Sequence, residues 1–216
     1  MDGRRQRLLA ELQALPGTLE VHYGAGELIF QEGAFAAGVY VVAEGLVIRG
    51  GYVLGTSQPV AVAGPGDLLG VETWRLDIPP RYWGFARALT AAILRFAPAG
   101  VWKEALEQER FRDLVLSILA ESVLDWHTLA LYREHAERVL AWFLLRWGQD
   151  DGDQVRLPVS TTLLASLLGL SRHTVRQALT QLAGMGAVGQ ADGEIVGNRD
   201  RLRAVLGEAA LIGSPR

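Results

Sequence analysis

The stretch from Ser160 to Leu182 constrains the fold of this chain most, because it has the pattern of two short amphipathic helices joined by a tight turn. Apolar residues recur there at steps of three and four, which gives each half one apolar face. Gly169 lies at the break, where a glycine can take the positive φ of a sharp turn, and Ser171 follows as a candidate N-cap. The small Ala165 at the crossing point permits the close packing of a helix-turn-helix.

The outward side of the second helix carries the candidate DNA contacts. In a helix-turn-helix this helix enters the major groove and presents its N-terminal residues to the bases. Arginine can bind guanine O6 and N7 there, glutamine can bind adenine, and threonine hydroxyls can contact phosphates. The predicted DNA-binding residues are Thr162, Ser171, Arg172, His173, Thr174, Arg176 and Gln177. Because an ordinary helical hairpin has the same periodicity, the rest of the chain has to decide between the two.

Composition sets broad limits on the class of protein. The chain has 216 residues, of which 50% are hydrophobic, enough for one large domain or two modest ones. Its net charge of −3 does not indicate a nucleic-acid binder, but residues 158–203 hold five arginines against three acidic residues, a local balance of +2. The absence of cysteine excludes disulfides and thiolate-bound metals or iron–sulfur clusters. The N-terminus lacks the apolar core of a signal peptide, and no apolar run is expected to span a bilayer, so we predict a cytoplasmic protein without a membrane partner.

The first part of the chain predicts an antiparallel sheet structure. After a short helix that ends at Pro16, β-type runs between residues 18 and 96 alternate with glycines at short intervals. Such spacing is typical of a compact antiparallel β-roll, a cupin-like jelly roll. A polar loop over residues 148–153 and a hairpin over residues 187–196 flank the helix-turn-helix, and a hairpin directly after a recognition helix is a wing.

A long helix is predicted between these two parts, because residues 107–132 contain neither glycine nor proline. The helix is apolar on more than one side, which indicates more than one partner. We predict that one side packs on the roll and the other on a second copy of the chain, with burial inside one subunit as the alternative. The predicted dimerisation residues are Phe111, Val115, Ile118, Ser122, Asp125, Leu129 and Tyr132. The predicted fold is α+β, with a roll domain over 1–106, a dimerisation helix over 107–133 and a winged helix-turn-helix over 134–216.

The order of these parts resembles the cyclic-AMP receptor protein and fumarate–nitrate reductase regulator (CRP/FNR) family. Five short motifs carry the resemblance: Tyr23-x-x-Gly26-Glu27-x-Ile29-Phe30-x-Glu32-Gly33, Tyr40-Val41-Val42-x-x-Gly45, Gly66-Asp67-x-x-Gly70, Arg87-Ala88-x-Thr90 and Leu170-Ser171-Arg172-x-Thr174-Val175. The resemblance implies a homodimeric transcription regulator that binds a near-palindromic operator in double-stranded DNA, with RNA polymerase as a further candidate partner. His173 lies where the family often has a glutamate that accepts from cytosine N4, so a different half-site is expected.

The resemblance fails at the residues that hold cyclic nucleotide in other members of the family. There, a Gly-Glu pair and an Arg-Ser or Arg-Ala pair bind the ribose and phosphate. Here Val71 falls on the glutamate position, and Tyr82 and Trp83 fall on the arginine pair, with Trp83 expected to fill the phosphate space. The predicted degenerate pocket comprises Gly70, Val71, Glu72, Arg81, Tyr82 and Trp83. Glu72 and Arg81 each lie one residue away from the required place, which turns a strand side chain to the other face.

Other chemistry has little support in the sequence. His22, His127, His135 and His173 are scattered, the aspartates at 150, 151 and 153 lack the rest of a calcium loop, and no catalytic motif is present. We therefore expect no enzyme activity, no metal and no cofactor. Two alternatives stay open: a ligand-responsive regulator whose roll binds an unidentified small molecule among aromatic residues at 74, 82, 83 and 85, and a protein-interaction scaffold that does not bind DNA.

Overall fold

The structure divides into two units, and the division falls inside the long helix. The computed structural model describes residues 3–71, 80–132, 134–191 and 193–207. One unit extends to Ala120 and the other begins at Glu121. The domain limits at 106 and 133 stay predictions, and the two units are described separately below.

The first unit is built from a two-sheet roll and helices. Its elements are α1 (Gly3–Ala14), β1 (Leu19–Tyr23), β2 (Leu28–Phe30), β3 (Gly38–Glu44), β4 (Val47–Val53), β5 (Thr56–Ala63), β6 (Leu68–Leu69), β7 (Phe85–Ala88), β8 (Ala92–Pro98), α2 (Ala99–Glu107) and the first half of α3 (Glu109–Leu131). The strands form two four-stranded sheets in the orders β1-β8-β3-β6 and β2-β7-β4-β5, and all pairs are antiparallel. The predicted antiparallel roll is confirmed. β6, β7 and α2 were not predicted, because β6 and β7 are short and α2 follows β8 directly.

Two apolar cores hold this unit together. One lies inside the roll and includes Phe30, Val42, Leu69, Tyr82 and Leu94. The second lies under the helices and consists of the buried residues Leu8, Leu12, Val39, Val41, Leu68, Ala97, Trp102, Ala105, Phe111, Val115 and Ile118. A buried ion pair ties α1 to the roll, since Arg5 Nε donates to Asp67 Oδ1 at 3.1 Å. Asp67 Oδ2 in turn accepts from the Gly64 amide at 2.9 Å, which fixes the turn before β6.

The long helix α3 has two apolar faces on opposite sides. Phe111, Val115 and Ile118 are at most 3% exposed and pack into the core of their own chain. These three predicted dimerisation residues are therefore unavailable to a partner, and that part of the prediction is wrong. The heptad spacing identified an apolar stripe correctly, but this stripe covers the chain's own core.

The remaining predicted dimerisation residues lie on the same side of α3, further along. Ser122, Asp125, Leu129 and Tyr132 are half-buried, and Asp125 Oδ2 accepts from Arg146 Nε at 2.9 Å. Their contact with a second copy stays a prediction. The opposite side of α3 carries exposed apolar side chains, among them Leu116, Val123, Leu124 and Leu131.

By length and composition, α3 could cross a membrane. The expectation that the chain has no such run is therefore wrong. A helix with two apolar faces can have the same average hydropathy as a membrane-spanning helix, because an average does not depend on the side of the helix on which each residue lies. On α3 one face packs on the core and the other is exposed.

The second unit has the order of a winged helix. After the end of α3 come α4 (Ala136–Trp147), β9 (Gln149–Asp151), β10 (Gln154–Leu157), α5 (Thr161–Leu168), α6 (Arg172–Gly184), β11 (Val188–Ala191), β12 (Glu194–Asn198) and α7 (Arg199–Leu206). The strands form one antiparallel sheet in the order β11-β12-β10-β9. The predicted wing hairpin is confirmed. The predicted polar loop over 148–153 is wrong, because β9 and β10 form a hairpin around Gly152.

Candidate nucleic-acid interface

The first helix of the helix-turn-helix, α5, is capped at both ends. The Ser160 hydroxyl accepts a hydrogen bond from the Leu163 amide at 3.1 Å. Gly169 has φ 64° and ψ 27°, the left-handed conformation that glycine adopts without a Cβ clash. The next amide, that of Leu170, donates to the Ala165 carbonyl at 3.0 Å. The positive φ predicted for Gly169 is confirmed, and it lets the chain turn directly into α6.

The second helix, α6, begins at its predicted cap. The Ser171 hydroxyl accepts from the Thr174 amide at 3.0 Å and lies 2.8 Å from the Thr174 hydroxyl. Such a cap satisfies an amide that the helix leaves unpaired. Ser171 and Thr174 thus have a structural role at the start of α6, and their DNA contacts stay predictions. Thr162 is exposed in the first turn of α5.

One face of α6 is buried against the second unit, and the other is exposed. Val175, Ala178 and Leu182 are at most 2% exposed, and α6 packs on α4 and α5. Arg172, His173, Arg176 and Gln177 are all exposed, as predicted. The buried residues follow one another at steps of three and four, so they hold the helix in one rotational setting. The four polar side chains are therefore presented together on the outer side.

The exposed side chains in the first two turns of α6 are arginine, histidine and glutamine. The helix has two arginines, one histidine and two glutamines but no aspartate or glutamate. Within the described parts of the chain, no hydrogen bond, ion pair or ring contact engages the side chains of Arg172 and Arg176. Both guanidinium groups are thus available to acceptor atoms of another molecule. The helix itself contains no carboxylate that would compete for them.

Other arginines of the second unit are held by nearby acceptors. The contacts are Arg199 with Asp150, Arg156 with Asp151 at 2.6 Å and Glu194 at 3.8 Å, Arg201 with the Met185 carbonyl at 2.9 Å, and Arg203 with Asp200 at 3.6 Å. Two of these carboxylates belong to the β9–β10 hairpin, which the sequence analysis took for a loop. The local charge balance of +2 therefore overstates the available positive charge, because Arg199 is paired with Asp150, which lies outside residues 158–203.

The wing adds little positive charge. Gln190 is exposed on β11, and Glu194 at the start of β12 lies beside Arg156. Neither β11 nor β12 contains a lysine or arginine. Among the described residues, the candidate interface therefore has its cations on α6.

The interior of the roll is occupied where a degenerate pocket was predicted. The ring of Tyr82 stacks on Phe30 with 3.9 Å between centroids, and its hydroxyl donates to the Gly38 carbonyl at 3.1 Å. Gly70 has φ 79°, and a Cβ placed there would lie 2.7 Å from the Tyr82 ring. Tyr82 is 4% exposed and fills the space beside Gly70.

Trp83 is not the residue that fills this space. Its side chain is 61% exposed, so the expectation that Trp83 occupies the phosphate position is wrong. Tyr82 lies in the irregular segment before β7 and is the buried residue there, whereas its neighbours Arg81 and Trp83 are exposed. Arg81 is exposed, and its Nη1 donates to the Gly33 carbonyl at 2.7 Å. Val71 is half-buried beside the helical core, while Glu72 and the aromatic Trp74 lie outside the described residues.

The tyrosines in the roll add no charge to the interior. Burial raises the pKa of Tyr40, and burial also raises the pKa of Tyr23, with the neighbouring Tyr40 as a second cause. Both phenols therefore stay neutral at physiological pH. A phosphate needs a positively charged or donor-rich site, and within the described residues the roll core consists of apolar side chains and neutral tyrosines.

The capped helix pair, the following hairpin and the antiparallel roll define a winged-helix DNA-binding protein with a roll-type N-terminal unit. Comparison with known proteins agrees. The profile of the Crp-like helix-turn-helix domain matches residues 137–205, and that of the cyclic nucleotide-binding domain matches residues 20–109. The nitrogen fixation regulation protein FixK of Bradyrhizobium diazoefficiens is 34% identical over 179 residues, which cover 78% of this chain and 73% of that protein.

Two further similarities extend over most of the chain. FixK of Rhizobium meliloti is 29% identical over 196 residues, which cover 81% of this chain and 87% of that protein. The solved structure of FixK2 from Bradyrhizobium japonicum superposes with a TM-score of 0.69 at 27% identity, covering 86% of this chain and 95% of that one. The chain belongs to the CRP/FNR family of transcription regulators. This family consists of DNA-binding regulators and not of enzymes, which agrees with the function expected from the helix-turn-helix.

Proposed function

We propose that the protein is a cytoplasmic homodimeric regulator that binds a near-palindromic operator and does so without cyclic nucleotide. The observation that carries the proposal is the outer face of α6, where Arg172 and Arg176 are exposed and unpaired within the described residues. An arginine that has no partner in its own chain can form a bidentate contact with guanine or bind a phosphate. RNA polymerase is the further partner that we propose on the basis of the family.

The exposed face of α3 supports the dimer. Leu116 is 56% exposed, Val123 is 54% exposed and Leu131 is 80% exposed. Together with the exposed Ala120 and Ala130 they follow one side of the helix at steps of three and four. We call the exposed residues Leu116, Ala120, Val123, Leu124, His127, Ala130 and Leu131 the α3 seam. Burial of such an exposed apolar helix face against the same face of a second copy is favourable, because it removes apolar surface from water.

A parallel arrangement of the two α3 helices fits one operator. The DNA-binding unit follows α3 in the chain, so parallel helices put both units at the same end of the dimer. Antiparallel helices would separate the units by the length of the helix pair. Two recognition helices of a dimer contact half-sites about 34 Å apart, one turn of DNA, and a two-fold dimer requires a near-palindrome.

The side chains of α6 restrict the bases that it can contact. Arg172 and Arg176 only donate hydrogen bonds, and guanine presents two acceptors in the major groove. Gln177 can both donate and accept, which suits adenine. His173 replaces the acceptor-only carboxylate expected at that place, so contact with cytosine N4 is weakened. We propose a half-site rich in guanine and adenine on the contacted strand.

The occupied roll supports control without cyclic nucleotide. Tyr82 fills the space beside Gly70, and Arg81 is bonded to Gly33 on the surface. We propose that DNA binding needs no nucleotide and follows the amount of protein made. Isothermal titration with cyclic AMP and cyclic GMP tests this part, and micromolar binding of either would refute it.

Selection of binding sites from random DNA tests the function. The purified full chain is expected to enrich a near-palindrome with half-sites one helical turn apart. The double variant Arg172→Ala/Arg176→Ala is expected to lose specific binding, with Arg203→Ala as the control, because Arg203 is exposed but lies on α7 beside Asp200. Enrichment of no sequence by the wild type, or equal enrichment by the double variant, would contradict the proposal.

A further inference from the structure

His127 occupies the middle of the α3 seam. Leu116, Ala120, Val123, His127 and Ala130 succeed one another at steps of four and three, and each is exposed. This spacing brings them to one side of a helix with about 3.6 residues per turn. His127 is thus a titratable residue at a position that otherwise carries apolar side chains.

A second copy would place two His127 side chains opposite each other. This step rests on the proposed parallel dimer. In a parallel two-fold pair of helices, residues of the central stripe meet the same residues of the other copy. The imidazole of one protomer then faces the imidazole of its partner across the two-fold axis.

The surroundings of His127 on this face are apolar. Its neighbours one turn away are Val123, Leu124, Ala130 and Leu131, and a second copy contributes the same four. The acidic residues nearest in sequence, Glu121 and Asp125, lie on the other side of the helix, and Asp125 is bonded to Arg146. No carboxylate of the described part of α3 is therefore within one turn of His127 on the seam to stabilise an imidazolium.

Charged groups further along this side are distant. Arg112 and Asp113 lie about four turns before His127 on α3. Glu134 and His135 follow the end of α3 at Leu131. In the proposed dimer, α3 of the partner faces His127 and brings the same groups at the same distances.

We propose that His127 makes the dimer sensitive to pH, with the dimer favoured when both imidazoles are neutral. Two neutral imidazoles can share an N–H···N hydrogen bond, whereas two imidazolium ions would bring like charges together in an apolar seam. A free imidazole in water has a pKa near 6.5, close enough to cytoplasmic pH that a modest change in pH alters its charge. Because the dimer binds fewer protons than two monomers, a fall in pH shifts the equilibrium toward monomers and away from the operator.

His127 also fixes the register of the seam. A single polar residue at a central position is satisfied only when it faces its own copy, and it lowers the stability of the helix pair relative to an apolar residue. His127→Leu is therefore expected to strengthen the dimer and remove its pH dependence. His127→Asn is expected to keep a polar pair in register and also to remove the pH dependence.

Sedimentation of the full chain without DNA tests the inference. A dimer that excludes one proton from each of two ordinary imidazoles is expected to have a Kd that rises about tenfold between about pH 7.5 and about pH 6.0. The measurement omits DNA so that His173 on α6 does not contribute to the result. The matched control is His22→Asn, since His22 is exposed on β1 and not on α3, and this variant is expected to keep the wild-type pH dependence.

The outcomes separate this inference from the proposed function. A wild-type dimer whose Kd is unchanged over this pH range would overturn the role of His127, and so would His127→Asn that responds to pH like the wild type. A wild type that is monomeric throughout the range would overturn the proposed homodimer itself. Loss of the pH response in both His127 variants, with its retention in His22→Asn, supports the inference.

Discussion

Replacing Val123 by glutamate should separate the dimer without unfolding the chain. Val123 is 54% exposed on α3 in the single chain. Full burial of a valine side chain contributes about 1.5–3 kcal/mol, so covering the exposed half contributes about 1 kcal/mol per protomer. In a two-fold dimer the same residue counts in both protomers, which gives about 2 kcal/mol lost with the apolar side chain.

Charge adds to this loss, because the two new carboxylates meet across the seam. At a separation of about 4–8 Å and an effective dielectric constant of about 20, two like charges repel by about 2–4 kcal/mol. The sum is about 4–6 kcal/mol, which weakens the dimer by roughly a thousandfold or more. Substitution of a half-exposed residue should change the free energy of unfolding of the monomer by only about 0.5 kcal/mol.

Sedimentation equilibrium measures the dimer Kd, and urea unfolding of the same samples measures the monomer. Leu19→Glu is the matched control, because Leu19 is 55% exposed but lies on β1 of the roll. Val123→Glu is expected to be monomeric and to lose operator binding, while Leu19→Glu stays dimeric. A Val123→Glu protein with the wild-type Kd would show that the dimer, if it forms, uses another surface.

Three further predictions concern the helix cap of α6, the buried ion pair of the first unit and a buried tyrosine of the roll. Ser171→Ala removes the cap of α6 and should lower the free energy of unfolding by about 1 kcal/mol. It should also weaken operator binding in a gel-shift assay. An unchanged free energy of unfolding together with unchanged operator binding would show that the cap does not stabilise α6. Asp67→Ala leaves the guanidinium of Arg5 buried without its carboxylate and should lower the free energy of unfolding, measured in urea, by about 3–5 kcal/mol. A loss of less than about 1 kcal/mol would indicate that water reaches the ion pair. Burial raises the pKa of Tyr40 in the folded chain, so the unfolded chain loses its phenol proton at a lower pH, and the free energy of unfolding is constant below about pH 10 and declines above it. Tyr40→Phe should reduce this alkaline decline when thermal unfolding is followed as a function of pH. An equal decline in both proteins would contradict the assignment.

The fold could be predicted where local chemistry decides the structure. Gly169 and Ser171 specify a helix end and a helix start, and both lie where the sequence placed them. Glycine-rich turns between short apolar runs similarly indicated the antiparallel roll. The β9–β10 hairpin was missed because its first strand, Gln149–Asp151, is entirely polar and exposed, and its pairing depends on β10 rather than on its own composition.

The face of α3 that remains exposed could not be predicted from periodicity. The spacing of Phe111, Val115 and Ile118 and that of Leu116, Ala120 and Val123 both fit a helical stripe. Only the packed core shows that the first stripe is covered by α1 and α2, since Leu8, Leu12 and Trp102 surround it. Sequence periodicity identifies apolar faces, but the tertiary fold decides which of them remains exposed.

The pairing of arginines could not be predicted either, because it depends on the hairpin and on α7. Five arginines between residues 158 and 203 look equivalent in the sequence, yet contacts occupy Arg199, Arg201 and Arg203, whereas Arg172 and Arg176 have no partner among the described residues. This distribution bears on how the proposed operator is recognised. A net charge of −3 limits the attraction to phosphates that any DNA sequence offers. In the proposed complex, discrimination depends on hydrogen bonds from α6 to base edges. The orientation that the cap and the buried face of α6 give to its four exposed polar side chains then matters more than total charge.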